Sequence, residues 1–571
     1  MRDDFFLKIS HVPLNCFLIV MTVVFFMAGN SLVSLTHPDE VFYAQTAKEM
    51  IKYHSWMTPY LFDAPQFEKP IFFYWLLISA FHWLGVTASA ARFWPALFGG
   101  LGVFVTYWLT FMIFRNKRTA LFAGMILCTS FLYLGLSRAV LTDMVFSVWV
   151  VLSLSAFYYG YRACPGRRGP ARDNRHKRTG ILLCGIFSGL AVLTKGFLGF
   201  LLPIGVILLF LISERNLAYL KDRVWIGGLI LFVVVSLPWH MVMMNLYGNR
   251  FLDEYFMNVH LRRIFEAEHR NFNTWYFYLL VTFGGMLPWS FFLMPAFTYP
   301  MKNFQNSAAE RRGVVFLFIW VAFTYIIFQS AQSKLASYIL PLWPALAIVI
   351  ASYFNHILER SRDSSRVRSF EVAAWASLVA FVLIAIGGIV FLRTSVEMAF
   401  SPQKIYILFG LMLLCWTAIF LFIKTNRYLE IIFSINLMTG VVLTALFLTS
   451  SYIEPWVSCK GIAGILKTKV GLSDSTILVS KPYVRGIRFY TDQKIAAFDI
   501  NGKGFFSPHP IPFVNTDQKL FMLLESQPVT YCVVHESGLA DLQRILPASH
   551  FRRDDLNKIE DKYLLRIEQI K

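Results

Sequence analysis

The sequence predicts a multi-pass α-helical membrane protein that ends in a small α/β domain. Of its 571 residues, 56% are hydrophobic and 15% are charged, and the mean hydropathy is +0.54. Soluble domains are about 45–50% apolar and about 25% charged. The composition therefore excludes a soluble globular enzyme, a disordered chain and a fibrous protein. Long apolar runs with short polar breaks, followed by a polar tail from residue 451, support the same fold class.

Thirteen apolar runs predict the membrane-spanning helices. Each is close to the ~20 residues that a helix needs to cross a hydrocarbon core of about 30 Å. Backbone groups in lipid have no water to bind, so a spanning segment satisfies them within a helix. The predicted spans are 13–33, 91–114, 119–137, 143–161, 180–196, 198–213, 224–245, 275–297, 314–330, 336–357, 371–392, 404–423 and 429–450.

The run Ile71–Gly85 is apolar but short, and the distribution of basic residues decides its role. Basic residues mark the cytoplasmic loops of membrane proteins. If this run does not span the membrane, the N-terminus and the basic loops share one side. We therefore predict an interfacial helix on the outer surface and an inner N-terminus. The loops 34–90 and 246–274 and the tail are then outside.

The net charge of +19, from 53 Lys+Arg against 34 Asp+Glu, has the same explanation. In a soluble protein, such an excess of basic residues would suggest nucleic-acid binding. The sequence contains no nucleic-acid-binding motif, so we expect no nucleic-acid partner. The basic loops are expected to set the topology and to contact membrane lipids.

The tail predicts a small α/β domain at 451–571, distinct from a membrane domain at 1–450. Three segments have the composition of short strands and three have helical patterns. Their alternation is typical of an α/β domain, here of about 110 residues. The strand segments are TILVS (476–480), KIAAFDI (494–500) and VTYCVVH (529–535), and the helical segments lie around 484–490, 516–526 and 537–546.

Two carboxylates in the outer loops are candidate catalytic groups. Asp39 and Glu40 follow Pro38 and open a predicted helix, where carboxylates are equally expected as capping charges. The functional interpretation is a general base or a group that orients the acceptor. Asp143 lies in the short loop SRAVLTDM, where capping of the next helix is the alternative. Two carboxylates on one face favour function more than either does alone.

Three lysines and a tyrosine in the outer loops suit a lipid phosphate, which Lys binds as a point charge. Lys69 precedes the interfacial run, and Lys195 ends a span before Gly196. Lys334 and Tyr338 are four residues apart and share a helix face. The alternatives are a snorkelling anchor for Lys69, a helix C-cap for Lys195 and an aromatic-belt residue for Tyr338.

The loop 246–274 adds His260 and Arg263 at helical spacing. His260 together with Glu68 is a candidate for a divalent metal or a shared proton, and a solvated amphipathic helix is the alternative. All these groups belong to outer loops. The sequence therefore predicts an outer-face active site that handles an anionic lipid.

Seven motifs occur in the order found in a known family. They are HPDEVFYAQTAKEM (37–50), FEKP (67–70), SRAVLTDM (137–144), GLAVLTKG (189–196), YFMNVHLRRIF (255–265), LPW (287–289) and SKLASYILP (333–341). With them the chain resembles the dolichyl-phosphate-mannose–protein mannosyltransferase superfamily. Within it, the chain is most similar to the lipid A aminoarabinose transferases of Gram-negative bacteria.

The resemblance implies a GT-C glycosyltransferase fold with about thirteen transmembrane helices and an outward C-terminal domain. It implies that Asp39 is the catalytic carboxylate and Asp143 a second essential aspartate. Lys69 resembles the residue that grips the donor phosphate. By the same resemblance, the metal positions are Glu68 and His260, and the donor-pocket residues include Arg263 and Tyr338.

The expected function is transfer of a sugar from a polyprenyl-phosphate donor on the periplasmic face of a bacterial inner membrane. The expected acceptor is lipid A or another envelope glycolipid. A protein O-mannosyltransferase is the alternative within the enzyme class. A lipid transporter or flippase would need charges at mid-membrane and, often, two related halves. A binding or assembly protein would leave both aspartates dispensable. No cofactor is certain, and a divalent metal remains open.

Overall fold

The computed structural model describes residues 10–162, 172–266, 273–303, 308–359, 364–395, 402–470, 475–505, 509–547 and 549–570. By their contacts the residues form two compact units. The helical unit comprises Met1–Ala28, Lys69–Phe73 and Arg92–Leu448. The C-terminal unit comprises Gly29–Glu68, Tyr74–Ala91 and Thr449–Lys571. By contacts, most of the 34–90 loop thus belongs with the tail. The domain boundary predicted from the sequence, at residue 450, instead places that loop in the membrane domain.

Helices account for nearly all of the described helical unit. The longer helices that lie wholly or partly in this unit are His11–Thr22 (continued by a π-helical turn at Val23–Met27), Ala88–Phe114, Lys117–Thr129, Thr142–Arg162, Arg172–Lys195, Leu198–Ser213, Val224–Tyr247, Leu293–Asn303, Ala308–Ser330, Trp343–Glu359, Ser364–Ser395, Pro402–Lys424 and Tyr428–Val457. Shorter helical segments are Phe131–Ser137, Leu217–Lys221, Asn249–Phe251, Leu252–Leu261, Arg262–Phe265, Phe277–Gly285, Ser290–Phe292 and Ala336–Leu342.

The predicted spans all coincide with helices. Within the described part of the chain, eight helices are long and apolar enough to cross a membrane, and two bent pairs raise the number to ten. The remaining three predicted spans correspond to shorter apolar helices, His11–Met27, Leu198–Ser213 and Gly410–Lys424. The run predicted to lie at the interface forms the 13-residue helix Phe72–Leu84.

Two predicted spans are broken rather than continuous. Lys117–Thr129 and Phe131–Ser137 meet at 67°, because Ser130 between them is extended and its hydroxyl donates to the Ile126 carbonyl. Phe277–Gly285 and Ser290–Thr298 meet at 113°. The second break contains Pro288, which has no N–H to continue a helix. Periodicity does not reveal such bends because the apolar run itself is uninterrupted.

Glycines allow some helices of the helical unit to approach closely. A Cβ added at Gly185, in Arg172–Lys195, would lie 2.1 Å from the carbonyl oxygen of Gly228, in Val224–Tyr247. A Cβ at Gly180 would lie 2.5 Å from the Ala156 carbonyl oxygen. Small residues at such positions are typical of membrane helix pairs, where packing rather than the hydrophobic effect drives association.

The C-terminal unit contains a six-stranded mixed sheet and, in the outer loop, a short hairpin of β1 (Tyr60–Leu61) and β2 (Ala64–Pro65). The strands of the large sheet are β3 (Ile477–Ser480), β4 (Ile495–Phe498), β5 (Phe513–Val514), β6 (Val529–Val534), β7 (Phe551–Ile559) and β8 (Lys562–Gln569), in the order β5-β4-β3-β6-β8-β7. The neighbouring strands β5 and β4, β4 and β3, and β3 and β6 pair in parallel. Strand β8 pairs antiparallel with both β6 and β7. The helices of this unit are Asp39–Lys52, Phe72–Leu84, Lys460–Val470, Val484–Thr491, Asp517–Glu525 and Glu536–Ile545.

The predicted strands and helices of the tail are confirmed. The strands could be predicted from the sequence because buried strands consist of apolar residues. Every residue of β3 and β4 is buried, as expected for parallel strands covered by helices. The β7–β8 hairpin was not predicted. β7 begins Phe-Arg-Arg-Asp-Asp and lies at the sheet edge, where charged residues protect a strand but remove its apolar signal.

We predict that Gly185→Ala destabilises the protein. The new methyl group would collide with the Gly228 backbone, and such overpacking costs about 1–3 kcal/mol. Thermal unfolding of the detergent-solubilised protein should therefore occur at a lower temperature. Gly387→Ala is the matched control, because no described atom lies within 4 Å of its added Cβ. Equal unfolding temperatures for the two variants would contradict the close helix approach.

Candidate active site

Asp39 opens the helix Asp39–Lys52, as predicted, and its side chain is 67% exposed. Glu40 beside it is buried, and its Oε2 accepts hydrogen bonds from the backbone N–H (2.9 Å) and the hydroxyl (3.0 Å) of Thr36. This pattern resembles a capping box, which satisfies backbone donors at the start of a helix. Glu40 therefore anchors the first turn, whereas Asp39 presents a carboxylate that a substrate can reach.

Arg485 of the helix Val484–Thr491 brings a cation to Asp39. Its Nη1 lies 3.9 Å from Oδ1 of Asp39. Its guanidinium lies 4.6 Å from the ring centroid of Phe42, which is three residues beyond Asp39 on the same helix. Nε and Nη2 of Arg485 lie 3.2 and 3.1 Å from Nε2 of His509, and Nε donates. Arg485 is not among the site residues predicted from the sequence, although Arg485 and Arg488 stand three residues apart in a segment predicted to be helical.

A buried ion network connects the same two helices within the C-terminal unit. Arg488 is buried, and its guanidinium lies 3.4 Å from Oε1 of Glu49 and 2.5 Å from Oδ2 of Asp63. Burial opposes ionisation of Asp63, but hydrogen bonds from Lys52 and Tyr53 and the charge of Arg488 outweigh it and lower its pKa to about 2. The network fixes the register of the helices that carry Asp39 and Arg485.

Glu68 and Lys69 are neighbours in sequence but belong to different units. The Glu68 backbone N–H donates to Oε1 of Gln66 (2.9 Å), and Nε2 of Gln66 donates to the hydroxyl of the buried Tyr74 (2.9 Å). Burial raises the pKa of Tyr74, and the nearby Glu68 charge raises it further. Lys69, which belongs to the helical unit, is a buried residue.

Asp143, Lys195 and Tyr338 come together in the helical unit. Nζ of Lys195 lies 2.5 Å from Oδ1 of Asp143, and both side chains are only 7% exposed. The same Nζ lies 4.2 Å from the ring centroid of Tyr338 and 5.4 Å from that of Phe146. Asp143 stands in the first turn of its helix and Lys195 at the end of another, so helix dipoles also favour both charges.

Lys334 is buried between the helical segments Ala308–Ser330 and Ala336–Leu342. Its Nζ donates to Oδ1 of Asn273 at 2.6 Å, so the hydrogen-bond partner among the described residues is a neutral amide. Burial lowers the pKa of this lysine. A buried ammonium with a neutral partner gains more from an incoming anion than an ammonium that is already ion-paired.

The side chains of His260 and Arg263 lie outside the described residues, so their predicted roles stay predictions. The backbone at these positions is helical. Among the side chains that are described, no group of three or more His, Cys, Asp or Glu is arranged to hold a metal ion. The proposed pairing of Glu68 with His260 at a metal is therefore not tested by this structure.

His37, two residues before Asp39, is half-buried in the C-terminal unit. Its Nδ1 lies 3.7 Å from Sγ of Cys459, and its ring meets that of Tyr483 edge-on at 5.1 Å. Burial and the charge of Lys562 lower its pKa to about 4. His37 is therefore a neutral structural residue at the entrance to the Asp39 helix.

Family and sequence comparisons identify related proteins. The family model for dolichyl-phosphate-mannose-protein mannosyltransferase matches residues 14–247. An uncharacterized protein of Aquifex aeolicus (strain VF5) is 30% identical over 365 residues, covering 64% of this chain and 67% of that protein. The undecaprenyl phosphate-alpha-4-amino-4-deoxy-L-arabinose arabinosyl transferase of Yersinia pestis (strain Pestoides F) is 27% identical over 373 residues. That match covers 64% of this chain and 63% of the Yersinia enzyme, a little under two thirds of its length.

Two solved structures share the fold. ArnT from Cupriavidus metallidurans, crystallised with undecaprenyl phosphate, has a TM-score of 0.75 at 20% identity, and the match covers 96% of this chain and 97% of that one. The archaeal oligosaccharyltransferase AglB from Archaeoglobus fulgidus has a TM-score of 0.54 at 15% identity and covers 92% and 70%. The predicted fold class, GT-C with a small C-terminal α/β domain, is confirmed.

We predict that Asp143→Asn destabilises the protein because it leaves the Lys195 ammonium buried without its counter-charge. Removing one partner of a buried ion pair costs about 3–5 kcal/mol. The double variant Asp143→Asn/Lys195→Met should recover most of the lost free energy of unfolding. Thermal or denaturant unfolding of the purified protein measures both. Wild-type stability of the single variant would show that the pair is not formed as described.

We predict that His37 makes the free energy of unfolding depend on pH between 6.5 and about 4. In that window the unfolded chain binds a proton at His37 that the folded protein does not, so stability falls as the pH falls. Above 6.5 and below about 4 this contribution is flat. Denaturant unfolding at several pH values should show a weaker pH dependence in His37→Gln. His550→Gln, at an exposed histidine of the same unit, should keep the wild-type dependence; identical curves for His37→Gln and wild type would contradict the assignment.

Proposed function

Because the chain belongs to the dolichyl-phosphate-mannose–protein mannosyltransferase superfamily, we propose that it is a glycosyltransferase with a polyprenyl-phosphate sugar donor. The observation that carries the proposal is the setting of Asp39. Its carboxylate is 67% exposed, yet the helix that follows is buried over Glu40–Ala47. A rigid element that presents an exposed carboxylate is suited to positioning an acceptor for attack.

Undecaprenyl phosphate is the polyprenyl carrier that we propose for the donor. The Yersinia relative is named for an undecaprenyl phosphate-linked sugar, and the Cupriavidus structure contains undecaprenyl phosphate. Lys334 supports the phosphate part of this donor, since its buried ammonium has a neutral hydrogen-bond partner. We assign donor-phosphate binding to the set predicted from the sequence, which is Lys69, Arg263, Lys334 and Tyr338, with Lys195 held near Tyr338.

In the proposed reaction, an acceptor oxygen attacks the anomeric carbon of the sugar. The bond from that carbon to the phosphate oxygen breaks, and the polyprenyl phosphate leaves with the bonding electron pair. Cations near the phosphate stabilise the charge that develops there, which is commonly a large part of catalysis. Asp39 takes the proton of a hydroxyl acceptor or orients a phosphate acceptor, which is already anionic. A single displacement of this kind inverts the anomeric configuration.

Asp143 acts in this scheme as a positioning residue. It binds Nζ of Lys195 and so holds that ammonium against the ring of Tyr338. Without the carboxylate, the buried lysine would either lose its proton or turn towards solvent. This role is compatible with the requirement for a second aspartate that the family resemblance implies.

We propose lipid A or another envelope glycolipid as the acceptor, with the site and the C-terminal unit facing the periplasm. The runner-up is a protein acceptor, as in the protein O-mannosyltransferases. An assay of the purified protein with an undecaprenyl-phosphate sugar, offered lipid A in one reaction and a Ser/Thr peptide in another, separates the two. Transfer to the peptide alone would replace the glycolipid proposal.

We predict that Asp39→Asn and Lys69→Ala each reduce transfer strongly in that assay. Loss of a general base or acceptor-positioning group costs about 10²–10⁴-fold, and loss of a charge-stabilising donor costs about 10²–10³-fold. Asp541→Asn is the matched control, because Asp541 is a surface residue of the C-terminal unit that pairs with Arg544 on its own helix. The control should keep wild-type activity.

Each variant must first unfold at the wild-type temperature, so that lost activity reports on chemistry rather than folding. Full activity of both folded variants would refute the site assignment. Full activity of Lys69→Ala alone would remove Lys69 from the donor site and leave the role of Asp39 intact.

A further inference from the structure

We infer that Arg485 binds an anionic group of the acceptor, a phosphate, beside Asp39. This inference rests on the proposed function and adds a specificity-determining residue from the C-terminal unit. It also gives this unit a part in acceptor recognition.

The hydrogen-bonding capacity of Arg485 is the first argument. A guanidinium has five N–H donors. Nε and one Nη2 hydrogen face Nε2 of His509, at 3.2 and 3.1 Å. Nη1 is 3.9 Å from Oδ1 of Asp39, which is beyond hydrogen-bond distance. Among the described contacts, the two Nη1 hydrogens therefore make no hydrogen bond, although Nη1 lies near Asp39.

The rigidity of Arg485 is the second argument. Its guanidinium lies over the ring of Phe42 at 4.6 Å. The ring of His509 is itself stacked on Phe505, with centroids 4.3 Å apart and planes 3° apart, and it contacts Phe62 at 5.5 Å. A cation that is held from two sides loses little conformational entropy when it binds an anion.

Electrostatics provides the third argument. A phosphate nucleophile placed by Asp39 would meet a carboxylate of the same sign, and that repulsion opposes binding. A guanidinium next to the carboxylate offsets it and also matches the two-oxygen geometry of a phosphate. A neutral hydroxyl on a peptide or sugar has no need of such a cation. The position of Arg485 therefore favours a phosphorylated acceptor.

Arg488, one turn beyond Arg485 in the same helix, provides a comparison because it has a structural role. Its side chain is 6% exposed, whereas that of Arg485 is 17% exposed. Arg488 pairs with Glu49 and Asp63 and also donates to the carbonyl oxygens of Asp492 and Gln493. Its donors are satisfied by the protein, whereas Nη1 of Arg485 makes no hydrogen bond among the described contacts and lies near the proposed catalytic carboxylate.

The test uses the full-length enzyme with an undecaprenyl-phosphate sugar and two acceptors, lipid A and lipid A from which the phosphates have been removed. Arg485→Ala should raise the KM for phosphorylated lipid A by about 10- to 100-fold, the usual worth of a hydrogen bond to a charged group. The KM for the donor should stay unchanged. Arg485→Lys keeps the charge but loses the planar fork, so it should recover part of the effect.

Arg544→Ala is the matched control, because Arg544 is an exposed arginine of the same unit that pairs with Asp541 in its own helix. Its KM values should equal those of wild type. Arg485→Ala must unfold at the wild-type temperature, and if it does not, Arg485→Lys carries the test. An unchanged KM for phosphorylated lipid A, or an equal rise for both acceptors, would overturn the inference.

A binding measurement separates this inference from the proposed function. Calorimetric titration with glucosamine 1-phosphate, in the absence of donor, should detect weaker binding to Arg485→Ala than to wild type. If wild type transfers no sugar from any polyprenyl phosphate, the proposed function fails, and this titration still tests Arg485. Equal affinity of wild type and Arg485→Ala for glucosamine 1-phosphate would contradict a phosphate site at Arg485, even if transfer activity is present.

Discussion

The buried guanidinium of Arg488 is the interaction on which the Asp39 region depends. It lies between Glu49 and Asp63 and so ties the helix that begins at Asp39 to the helix Val484–Thr491 of the tail. A buried ion pair is a weak source of net stability, since desolvation offsets the attraction, but it is selective about geometry. Loss of Arg488 would leave the buried carboxylate of Glu49 without its counter-charge. The network therefore fixes how the helix Asp39–Lys52 is aligned with the helix Val484–Thr491. That alignment determines which side chains lie next to Asp39.

The charges of this protein differ in how fully the chain satisfies them. Arg488 and the Asp143–Lys195 pair are buried and paired. Asp39 is exposed, and Lys334 is buried against a neutral amide. Buried and paired groups hold the structure, whereas an exposed carboxylate and an ammonium beside a neutral amide are suited to contact a substrate. In the proposed site, Asp39 and Arg485 therefore contact the acceptor, and Lys69 and Lys334 contact the donor phosphate.

Much of the helical architecture could be predicted because lipid imposes a simple rule. A segment without water must be helical and long enough to cross, so apolar run length predicted thirteen spans, each of which coincides with a helix, and among the described residues eight to ten of these are long enough to cross. The bends at Ser130 and Pro288 escaped that rule, because both halves of each pair are apolar. In the tail, buried strands such as Ile477–Ser480 were visible from composition. The edge strand Phe551–Ile559 could not be predicted in this way, because its exposed charged residues remove the apolar pattern by which a strand is recognised.

The candidate site divides in the same way. The sequence by itself determined the residue types and their loops, since carboxylates, lysines and tyrosine beside long apolar runs stand out against their surroundings. The tertiary structure decided which of them are buried against a partner, as Asp143 is against Lys195, and which are exposed to solvent, as Asp39 is. It also decided that Arg485, more than 440 residues from Asp39 in the chain, stands 3.9 Å from its carboxylate. Such pairings between distant residues carry no local signal, because they depend on how separate elements pack and not on the pattern within either one.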